Sequence, residues 1–313
     1  MSENGPASAF ADVTEGDVRR AFDEEDYVAG DDVVTTVLLA LRLGKPLLVE
    51  GPPGAGKTEL AKVLAGSFGS ELVRLQCYEG LAAENALYEW NYTKQLLAVQ
   101  ADQRGVEGDG ATVFDEEYLL ERPLLRALRA DGDRPPVLLI DEVDRADEEF
   151  EALLLEVLSD FQVSIPELGT VAAGRPPIVV VTSNRTRGLS DALKRRCLYL
   201  HVDPPGPDKE RAIVERKVPE LDGAVAAELV GMAQRLREEP WIKQPGTAET
   251  LDWARAVAEL RGDAGDRDAL SPTEVENTLS CLLKEVEDVR RVDDDLLAAL
   301  LEAAGEAREA AEG

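Results

Sequence analysis

The stretch Gly51-Pro52-Pro53-Gly54-Ala55-Gly56-Lys57-Thr58 decides the fold, because it is a complete G-x-x-x-x-G-K-[ST] phosphate-binding loop (P-loop). The apolar residues 46–50 before it indicate a buried strand, and residues 59–65 after it indicate a helix. The glycines let several backbone N–H groups point at one anion, and the positive end of the following helix dipole adds to that field. We expect Lys57 to reach the β- and γ-phosphates of a nucleotide and the Thr58 hydroxyl to ligate Mg²⁺.

The composition excludes several classes of protein. The 313 residues are enough for two domains, and a hydrophobic content of 44% supports a packed core. No apolar run approaches the ~20 residues that span a bilayer, and the N-terminal residues lack the pattern of a secretory signal. Cys77, Cys197 and Cys281 are far apart and odd in number. They argue against a metal site and for a reduced, cytoplasmic compartment.

The charge balance is strongly acidic, with 34 basic and 63 acidic residues and a net charge of −29. Only nine of the basic residues are lysine, and the acidic residues are spread along the whole chain. This balance resembles that of halophilic cytosolic proteins, whose fold we expect to weaken at low ionic strength, whereas an ordinary acidic protein would not depend on molar salt. No stretch resembles a basic patch, so neither nucleic acid nor a membrane is an expected partner.

Strand and helix patterns alternate through the first two thirds of the chain. Beyond the P-loop strand, we predict strands at 71–77, 137–140, 177–182 and 198–202, helices at 32–43, 115–130 and 148–158, and a hairpin over 161–172. The acidic, glycine-rich residues 105–110 predict a loop. Alternation of helices with continuously apolar strands indicates a parallel sheet that is covered on both faces.

Beyond the Pro-rich residues 203–208 the pattern becomes wholly helical. We predict helices at about 208–218, 222–238, 247–261, 271–285 and 293–311. The predicted fold class is therefore α/β, a P-loop three-layer sandwich with a parallel sheet, followed by a small all-helical lid domain. We expect an acidic and partly mobile N-terminal segment at 1–29, the P-loop domain at 30–205 and the lid at 206–313.

A second chemical motif ends the apolar strand Val137-Leu-Leu-Ile-Asp141-Glu142. Alternation along a strand places Asp141 and Glu142 on opposite sides of its end. One carboxylate then holds the Mg²⁺ shell while the other faces a water beside the γ-phosphate. We expect Asp141 to orient Mg²⁺ and Glu142 to act as general base. Glu142 favours hydrolysis of ATP over transfer to a small molecule, because a kinase must avoid activating water.

Several further motifs follow in an order that resembles an AAA+ ATPase. They are Asp141-Glu142-Val-Asp144-Arg145-Ala146, Thr182-Ser183-Asn184 and Asp191-Ala-Leu-Lys-Arg195-Arg196-Cys197. The resemblance covers about residues 30–260, and the hairpin at 161–172 is similar to the extra hairpin of the MoxR branch. The stretches 75–80, 87–92 and 193–199 resemble CoxD-type members. Those members are chaperone-like ATPases linked to maturation of molybdenum-containing carbon monoxide dehydrogenase.

The resemblance implies a role for each matching residue. Asn184 matches the sensor-1 residue that holds the attacking water. Arg196, or in second place Arg195, matches an arginine finger that completes the site of a neighbouring subunit. The implied nucleotide-binding residues are Gly51, Pro52, Pro53, Gly54, Ala55, Gly56, Lys57, Thr58, Glu59 and Asp141, with Thr58 and Asp141 serving Mg²⁺ partly through water. A site completed in trans implies a homo-oligomeric ring, a hexamer in this family.

One position departs from the family pattern. The lid helix of the family carries a sensor-2 arginine, but Glu249 stands at about the matching position here. Either Arg255 replaces that arginine, or the lid senses nucleotide differently.

Three aromatic residues gather in the insert after the second strand of a chain that is poor in aromatics. Tyr88, Trp90 and Tyr92 either grip a protein client or pack the insert onto the core. The single histidine, His201, lies in a strand pattern and is interpreted as a structural residue of the sheet.

The sequence therefore predicts an ATPase with ATP and Mg²⁺ as ligands, which remodels a protein client. The resemblance adds a molybdoenzyme as the candidate client and a protein with a von Willebrand factor A domain as a further partner. Two alternatives stay open. One is an AAA+ motor or loader linked to nucleic acid, and the other is a nucleotide-gated scaffold with little turnover.

Overall fold

The computed structural model describes residues 10–102, 116–166, 169–262 and 268–313. Tertiary contacts divide the chain into two compact units. The first unit runs up to His201, apart from two short pieces, and the second contains Val202–Gly313. The two pieces, Asp26–Val28 and Pro52–Gly56, group with the second unit.

The first unit alternates helices with strands. Its elements are α1 (Glu15–Glu24), α2 (Asp31–Leu43), β1 (Leu47–Glu50), α3 (Lys57–Phe68), β2 (Leu72–Gln76), α4 (Ala83–Leu87), β3 (Tyr88–Trp90), α5 (Tyr92–Asp102), β4 (Leu119–Glu121), α6 (Pro123–Arg129), β5 (Val137–Asp141), α7 (Glu148–Asp160), β6 (Gln162–Ile165), β7 (Gly169–Ala172), β8 (Ile178–Ser183), α8 (Asp191–Arg196) and β9 (Leu198–His201). Five strands form one parallel sheet in the order β2-β5-β8-β1-β9. The pairs β3–β4 and β6–β7 form two antiparallel ribbons.

The central strands are buried along their whole length. Every residue of β1 and β5 is buried, as the continuous apolar runs in the sequence predict for a sheet with helices on both faces. At the sheet edge, β2 instead alternates, with Val73 and Leu75 buried and Arg74 exposed. Arg74 and Gln76 therefore share the more exposed face of β2.

The carboxyl ends of the parallel strands gather the polar residues. Gln76 lies opposite Asp141 in the register of β2 and β5, and Glu50 lies opposite Ser183 in the register of β1 and β8. The P-loop leaves the sheet from Glu50 at this same edge. Open parallel sheets bind their ligands at this edge, so the fold itself brings the motif residues together.

The helix predicted over 115–130 is wrong for its first half. Glu116–Tyr118 form a 3₁₀ turn, and β4 then pairs with β3. Pro123 starts α6, because its fixed φ suits the first helical turn and holds the preceding Arg122 extended. The loop predicted at 105–110 lies outside the described residues.

Residues 15–24 of the acidic N-terminal segment form a packed helix. A capping box begins α1, in which the Thr14 hydroxyl accepts from the Asp17 backbone N–H and the Asp17 carboxylate accepts from the Thr14 backbone N–H. Val18 and Phe22 are buried, and α1 packs against α2 and α3. Two apolar residues one turn apart are enough to dock a short acidic helix on the first unit.

The second unit is helical. Its elements are α9 (Pro207–Lys217), α10 (Gly223–Arg237), α11 (Thr247–Arg261), α12 (Pro272–Thr278), α13 (Val286–Arg290) and α14 (Asp294–Glu312). Trp253 lies at the centre of its core and is fully buried. The single helix predicted over 271–285 is wrong, because α12 ends at Thr278. The Thr278 hydroxyl accepts from Trp253 Nε1 and donates to the Glu274 carbonyl, a contact that competes with continuation of the helix.

Two absences apply to the described part of the chain. None of its helices combines the length and the apolar character that a membrane span requires. Within the same residues, no three His, Cys, Asp or Glu side chains cluster as metal ligands. His201 ends β9 opposite Glu50, in the sheet as the sequence predicts.

Candidate active site

The P-loop has the backbone conformation that an anion cradle needs. Gly54 and Gly56 have φ values of +80° and +83°, a region that side-chain-bearing residues rarely adopt. Nothing lies within 4 Å of a Cβ built on Gly56, so its φ alone is the reason for glycine there. Helix α3 begins at Lys57, directly after the loop. The conformation of the loop glycines therefore fits the phosphate site that the sequence predicts.

Lys57 is held at the start of the loop. Its side chain is buried, and Nζ donates a hydrogen bond to the Gly51 carbonyl at 2.8 Å. Burial lowers the pKa of Lys57, and the carboxylates of Asp144, Asp141 and Glu142 oppose that shift. The Lys57 ammonium thus lies in the same site as these carboxylates, where its charge suits the predicted phosphate group.

Thr58 and Asp141, the two predicted Mg²⁺ residues, are in direct contact. The Thr58 hydroxyl donates to Asp141 Oδ1 at 3.1 Å, and the Thr182 hydroxyl donates to the same oxygen at 2.6 Å. The Asp141 residue is only 3% exposed. A buried carboxylate beside a threonine hydroxyl is an oxygen donor set of the kind that Mg²⁺ prefers. The residues present therefore fit the ion.

Glu142 has a backbone conformation that the sequence did not reveal. Its φ and ψ are 55° and 49°, in the left-handed region, which non-glycine residues seldom occupy and which is enriched at functional sites. Strand β5 ends at Asp141, so the alternation used to orient Glu142 does not extend to it. The Thr182 hydroxyl accepts from the Glu142 backbone N–H at 2.9 Å and holds this turn. The left-handed backbone, and not the strand period, sets the direction of the Glu142 side chain.

Three donors surround the Glu142 carboxylate. Asn184 Nδ2 donates to Oε1 at 3.2 Å, while Gln76 Nε2 and Arg145 Nη1 donate to Oε2 at 3.0 and 3.1 Å. The structure thus brings the predicted base and the predicted sensor residue into contact. Gln76 and Thr182 were missed as site residues, although both end strands at the edge where the motifs meet. Both could have been predicted from the rule that parallel strands place their carboxyl ends at the same edge of the sheet.

Asp144 holds the backbone of Asn184 in place beside Glu142. Its side chain is buried and accepts hydrogen bonds from the backbone N–H groups of Asn184 and Thr186 and from the Thr186 hydroxyl. Burial raises the pKa of Asp144, but these hydrogen bonds outweigh burial and bring the pKa below its usual value. The ionised carboxylate therefore fixes the chain at Asn184 against β5.

Cys77 follows the neighbouring strand but carries no reactive thiol. Its backbone N–H donates to the Asp141 carbonyl at 2.8 Å. Burial, together with the nearby carboxylates, raises the pKa of the Cys77 thiol to about 12, so that it stays protonated. None of the three cysteines is in a disulfide.

The two candidate finger arginines lie on α8 and are both exposed. Arg196 Nε donates to the Ser159 hydroxyl at 2.7 Å and Nη1 donates to the Ala192 carbonyl. Within the described residues, no hydrogen bond or ion pair holds the Arg195 side chain. Among the residues that the structure describes, neither arginine is bonded to the P-loop or to Asp141, Glu142 or Asp144.

Three residues predicted at or near the nucleotide site make contacts within their own helices. Glu249 accepts from the Gly246 backbone N–H at 3.0 Å and so caps α11, which explains a carboxylate at this position. Arg255 is exposed and pairs with Asp252 at 3.3 Å. The Glu59 carboxylate pairs with Lys62 at 3.2 Å on α3.

The aromatic group of the insert is divided. Trp90 is 9% exposed and belongs to the main core, where it makes an edge-to-face contact with Tyr88. Tyr92 is 68% exposed at the start of α5, and Leu96, Leu97 and Val99 on the same helix are also exposed. Packing therefore explains Trp90 but not Tyr92.

Comparison with known proteins agrees with this geometry. Residues 46–197 match the AAA domain of the dynein-related subfamily. The matched stretch contains the P-loop, Asp141, Glu142, Asn184 and both finger candidates. With the five-stranded parallel sheet, this confirms the prediction of a P-loop α/β fold followed by a helical region.

Relatives extend the similarity beyond the AAA domain. The chain is 26% identical over 245 residues to the uncharacterized protein SH1500 of Staphylococcus haemolyticus, covering 76% of this chain and 85% of that protein. It is 23% identical over 269 residues to the denitrification regulatory protein NirQ of Stutzerimonas stutzeri, covering 83% of each. Among solved structures, the RuvB Holliday junction branch migration motor of Thermotoga maritima has 19% identity and a TM-score of 0.48, over 86% of this chain and 73% of that one.

Proposed function

We propose that this protein is a Mg²⁺-dependent ATPase of the MoxR branch of AAA+ proteins, which uses ATP hydrolysis to remodel a protein client. The observation that carries the proposal is the hydrogen bond between Asn184 and Glu142. Glu142 directly follows Asp141, whose carboxylate accepts from the Thr58 hydroxyl, and Lys57 lies in the same unit. A site that only bound nucleotide would need the loop, the lysine and the metal carboxylate, but not a second carboxylate held in a left-handed turn.

Nucleotide binding follows from the loop and its lysine. The amides around Gly54 and Gly56 bind the phosphate oxygens, and Lys57 exchanges its hydrogen bond to the Gly51 carbonyl for the β- and γ-phosphates. Thr58 and Asp141 hold Mg²⁺, which neutralises phosphate charge in the transition state when it is bound.

Hydrolysis is assigned to Glu142 and Asn184. Glu142 accepts the proton of the attacking water, while Asn184, whose amide donates to Glu142 Oε1, keeps that water in line with the γ-phosphate. Because Asp144 binds the Asn184 backbone, the sensor residue has little freedom to move away from the base.

The proposal assigns the arginine finger of the site to a neighbouring subunit. An arginine finger from α8 stabilises the transferring phosphoryl group in trans, which requires a head-to-tail ring, a hexamer by resemblance to the family. Arg195 is better supported than Arg196, because Arg196 already donates to Ser159 and Ala192 of its own chain.

The client surface is assigned to α5. Tyr92, Leu96 and Val99 follow the spacing i, i+4, i+7, which puts them on one helix face, and each is exposed. Residues 91–101 contain no Asp or Glu, although one residue in five of the whole chain is acidic. An uncharged apolar strip on an otherwise acidic protein suits an apolar segment of a client.

The identity of the client rests on resemblance alone. The CoxD-like stretches support a molybdoenzyme such as carbon monoxide dehydrogenase, with a von Willebrand factor A-domain protein as a further partner. The relative named as a denitrification regulatory protein supports a regulatory role. A cytoplasmic location in a halophile is part of this proposal, from the acid-rich and lysine-poor composition.

The first test is steady-state ATP hydrolysis in molar KCl with and without Mg²⁺. We expect Glu142→Gln to bind ATP as tightly as the wild type and to lose turnover by about 10³-fold, since general base catalysis contributes roughly 10²–10⁴-fold. Undiminished turnover in this variant refutes Glu142 as the base. A wild type without turnover in any condition supports the scaffold alternative, and stimulation by DNA supports the nucleic-acid motor.

The second test compares two aromatic residues that lie two positions apart. We expect Tyr92→Ala to change the free energy of unfolding by less than about 0.5 kcal/mol, because it is a surface position, and to abolish stimulation of ATPase by a client. Trp90→Ala should instead cost about 3–5 kcal/mol, because it empties a core position. Full client stimulation in a Tyr92→Ala/Leu96→Ala variant rules out α5 as the client surface.

A further inference from the structure

Arg74 is the cation nearest to the metal carboxylate, yet the proposed mechanism gives it no part. Its Nη2 and Nε atoms both donate to Asp141 Oδ2, at 2.6 and 3.1 Å. The other oxygen of Asp141 is taken by the hydroxyls of Thr58 and Thr182. Arg74 therefore holds the oxygen of Asp141 that the hydroxyls hold least, since Thr58 lies 3.4 Å from it.

The same guanidinium also orients the amide of Gln76. Arg74 Nη2 donates to Gln76 Oε1 at 2.6 Å, and Gln76 Nε2 donates to Glu142 Oε2 at 3.0 Å. A guanidinium can only donate, and an ionised carboxylate can only accept. The amide of Gln76 must therefore turn its oxygen to Arg74 and its nitrogen to Glu142, so the relay has one direction only.

The position of Arg74 makes this contact reversible. Its side chain is 52% exposed, whereas that of Asp141 is 4% exposed. A long side chain at the edge of the sheet can withdraw into solvent when another cation takes its place beside Asp141, but the buried carboxylate cannot follow it. Arg74 and Gln76 lie two residues apart on the same face of β2, so a movement of one changes the hydrogen bond of the other.

We propose that Arg74 competes with Mg²⁺ for Asp141 and thereby couples metal loading to release of the base Glu142. A divalent cation held by Thr58 and Asp141 would repel the guanidinium and weaken its attraction to the Asp141 carboxylate. Arg74 then withdraws, Gln76 loses the donor that fixes its amide, and Glu142 Oε2 is no longer held away from the attacking water. The inference rests on the proposed ATPase function and assigns Arg74 as a positioning residue of that site.

The test measures metal affinity directly, without turnover. Binding of Mn²⁺ to the full-length protein with a non-hydrolysable ATP analogue is followed by electron paramagnetic resonance, and Mg²⁺ is titrated against it. We expect Arg74→Gln to bind both ions about tenfold more tightly than the wild type, because a charge-assisted hydrogen bond no longer opposes the metal. Arg126→Gln is the control, since it removes the same charge from an exposed pair with Glu71 in the same unit.

A second variant separates the two halves of the relay. Gln76→Ala leaves the Arg74–Asp141 pair intact, so metal affinity should match the wild type, while turnover at a given Mg²⁺ concentration should rise because no amide holds Glu142 Oε2. Arg74→Lys keeps the charge but cannot reach Asp141 and Gln76 together. It should retain wild-type metal affinity and resemble Gln76→Ala in turnover.

The outcomes distinguish this inference from the function on which it rests. A wild type that binds no metal–nucleotide complex overturns the proposed ATPase. A wild type that binds the complex, with equal or weaker metal binding in Arg74→Gln, overturns the competition and makes Arg74 a structural partner of Asp141.

Discussion

The acidic residues of the two units are held by different kinds of partner. In the helical unit, Glu210 is fully buried and bound by both Nη atoms of Arg237 at 2.7 Å, and Glu228 is bound by Arg308 at 2.6 Å. In the first unit, Asp141 and Glu142 share their oxygens among hydroxyl, amide and guanidinium donors. Glu210 and Glu228 thus each have one arginine as their charged partner, whereas Asp141 and Glu142 divide their oxygens between guanidinium groups and neutral hydroxyl or amide groups.

The difference shows that a buried charge does not by itself mark a site. A bidentate ion pair in a core is costly to open, because either charge alone is left desolvated. Neutral donors contribute only about 0.5–1.5 kcal/mol each, so a ligand can replace them. The feature that identifies the site is the convergence of three carboxylates from one stretch, 141–144, on donors from two neighbouring strands.

The largest expected effect concerns the arginines of α8. We expect Arg195→Ala to lower turnover by about 10³-fold, as loss of an arginine finger does, without a change in the denaturation midpoint. Lys194→Ala, on the same exposed helix, is the matched control. Mixing Arg195→Ala with Glu142→Gln subunits should restore activity, because each supplies in trans what the other lacks.

Two results would change that assignment. Loss of turnover in Arg196→Ala with full turnover in Arg195→Ala moves the finger to Arg196. Full turnover in both single variants and in the double variant removes the finger from α8 and, with it, the argument for a ring.

The next effect concerns the helical unit. We expect Arg237→Met to lower the free energy of unfolding by about 3–5 kcal/mol, because it leaves Glu210 charged and buried. Arg255→Gln is the control, an exposed arginine whose pair with Asp252 contributes at most about 1 kcal/mol. Urea unfolding measures both. A loss as large in Glu142→Gln as in Arg237→Met would erase the distinction between structural and functional acids.

The smallest effect is a pH dependence in the helical unit. The hydrogen bond from Arg261, with those from Ser271, lowers the pKa of Glu274 from 4.5 to about 2. A lowered pKa in the folded state contributes stability that is complete above pH 4.5 and is lost as the pH falls towards 2. The stability difference between the wild type and Glu274→Gln should therefore shrink over this interval. A constant difference, measured by unfolding at each pH, would show that only the capping geometry matters.

The sequence was sufficient for the fold and for the main acids of the site. The P-loop is a contiguous motif between a strand and a helix. The apolar strands predict a parallel sheet covered on both faces, even though the order of the strands is not known from the sequence. Asp141 and Glu142 were predicted because they follow an apolar strand in a chain with a P-loop, and Asn184 was predicted from the resemblance to AAA+ ATPases. Their chemical roles, like those of Arg195 and Arg196, stay predictions.

The sequence was insufficient to predict conformations and contacts that depend on a residue of a neighbouring strand. The left-handed backbone of Glu142 depends on the Thr182 hydroxyl, which lies 40 residues away in the chain. The relay of Arg74 and Gln76 depends on β2 being the neighbour of β5, which no local pattern states. The division between Trp90 and Tyr92 depends on the pairing of β3 with β4, which the predicted helix over 115–130 had concealed.

The sequence by itself thus determined which chemical groups this protein has and to which edge of the sheet they belong. Covalent spacing and the period of apolar residues are local properties, and a single chain records them fully. Only the tertiary structure decided which partner each charged group has, because strand order and burial are set by packing among distant residues. The P-loop could be predicted from eight consecutive residues, but the hydrogen bonds from Arg74 to the Asp141 carboxylate could not.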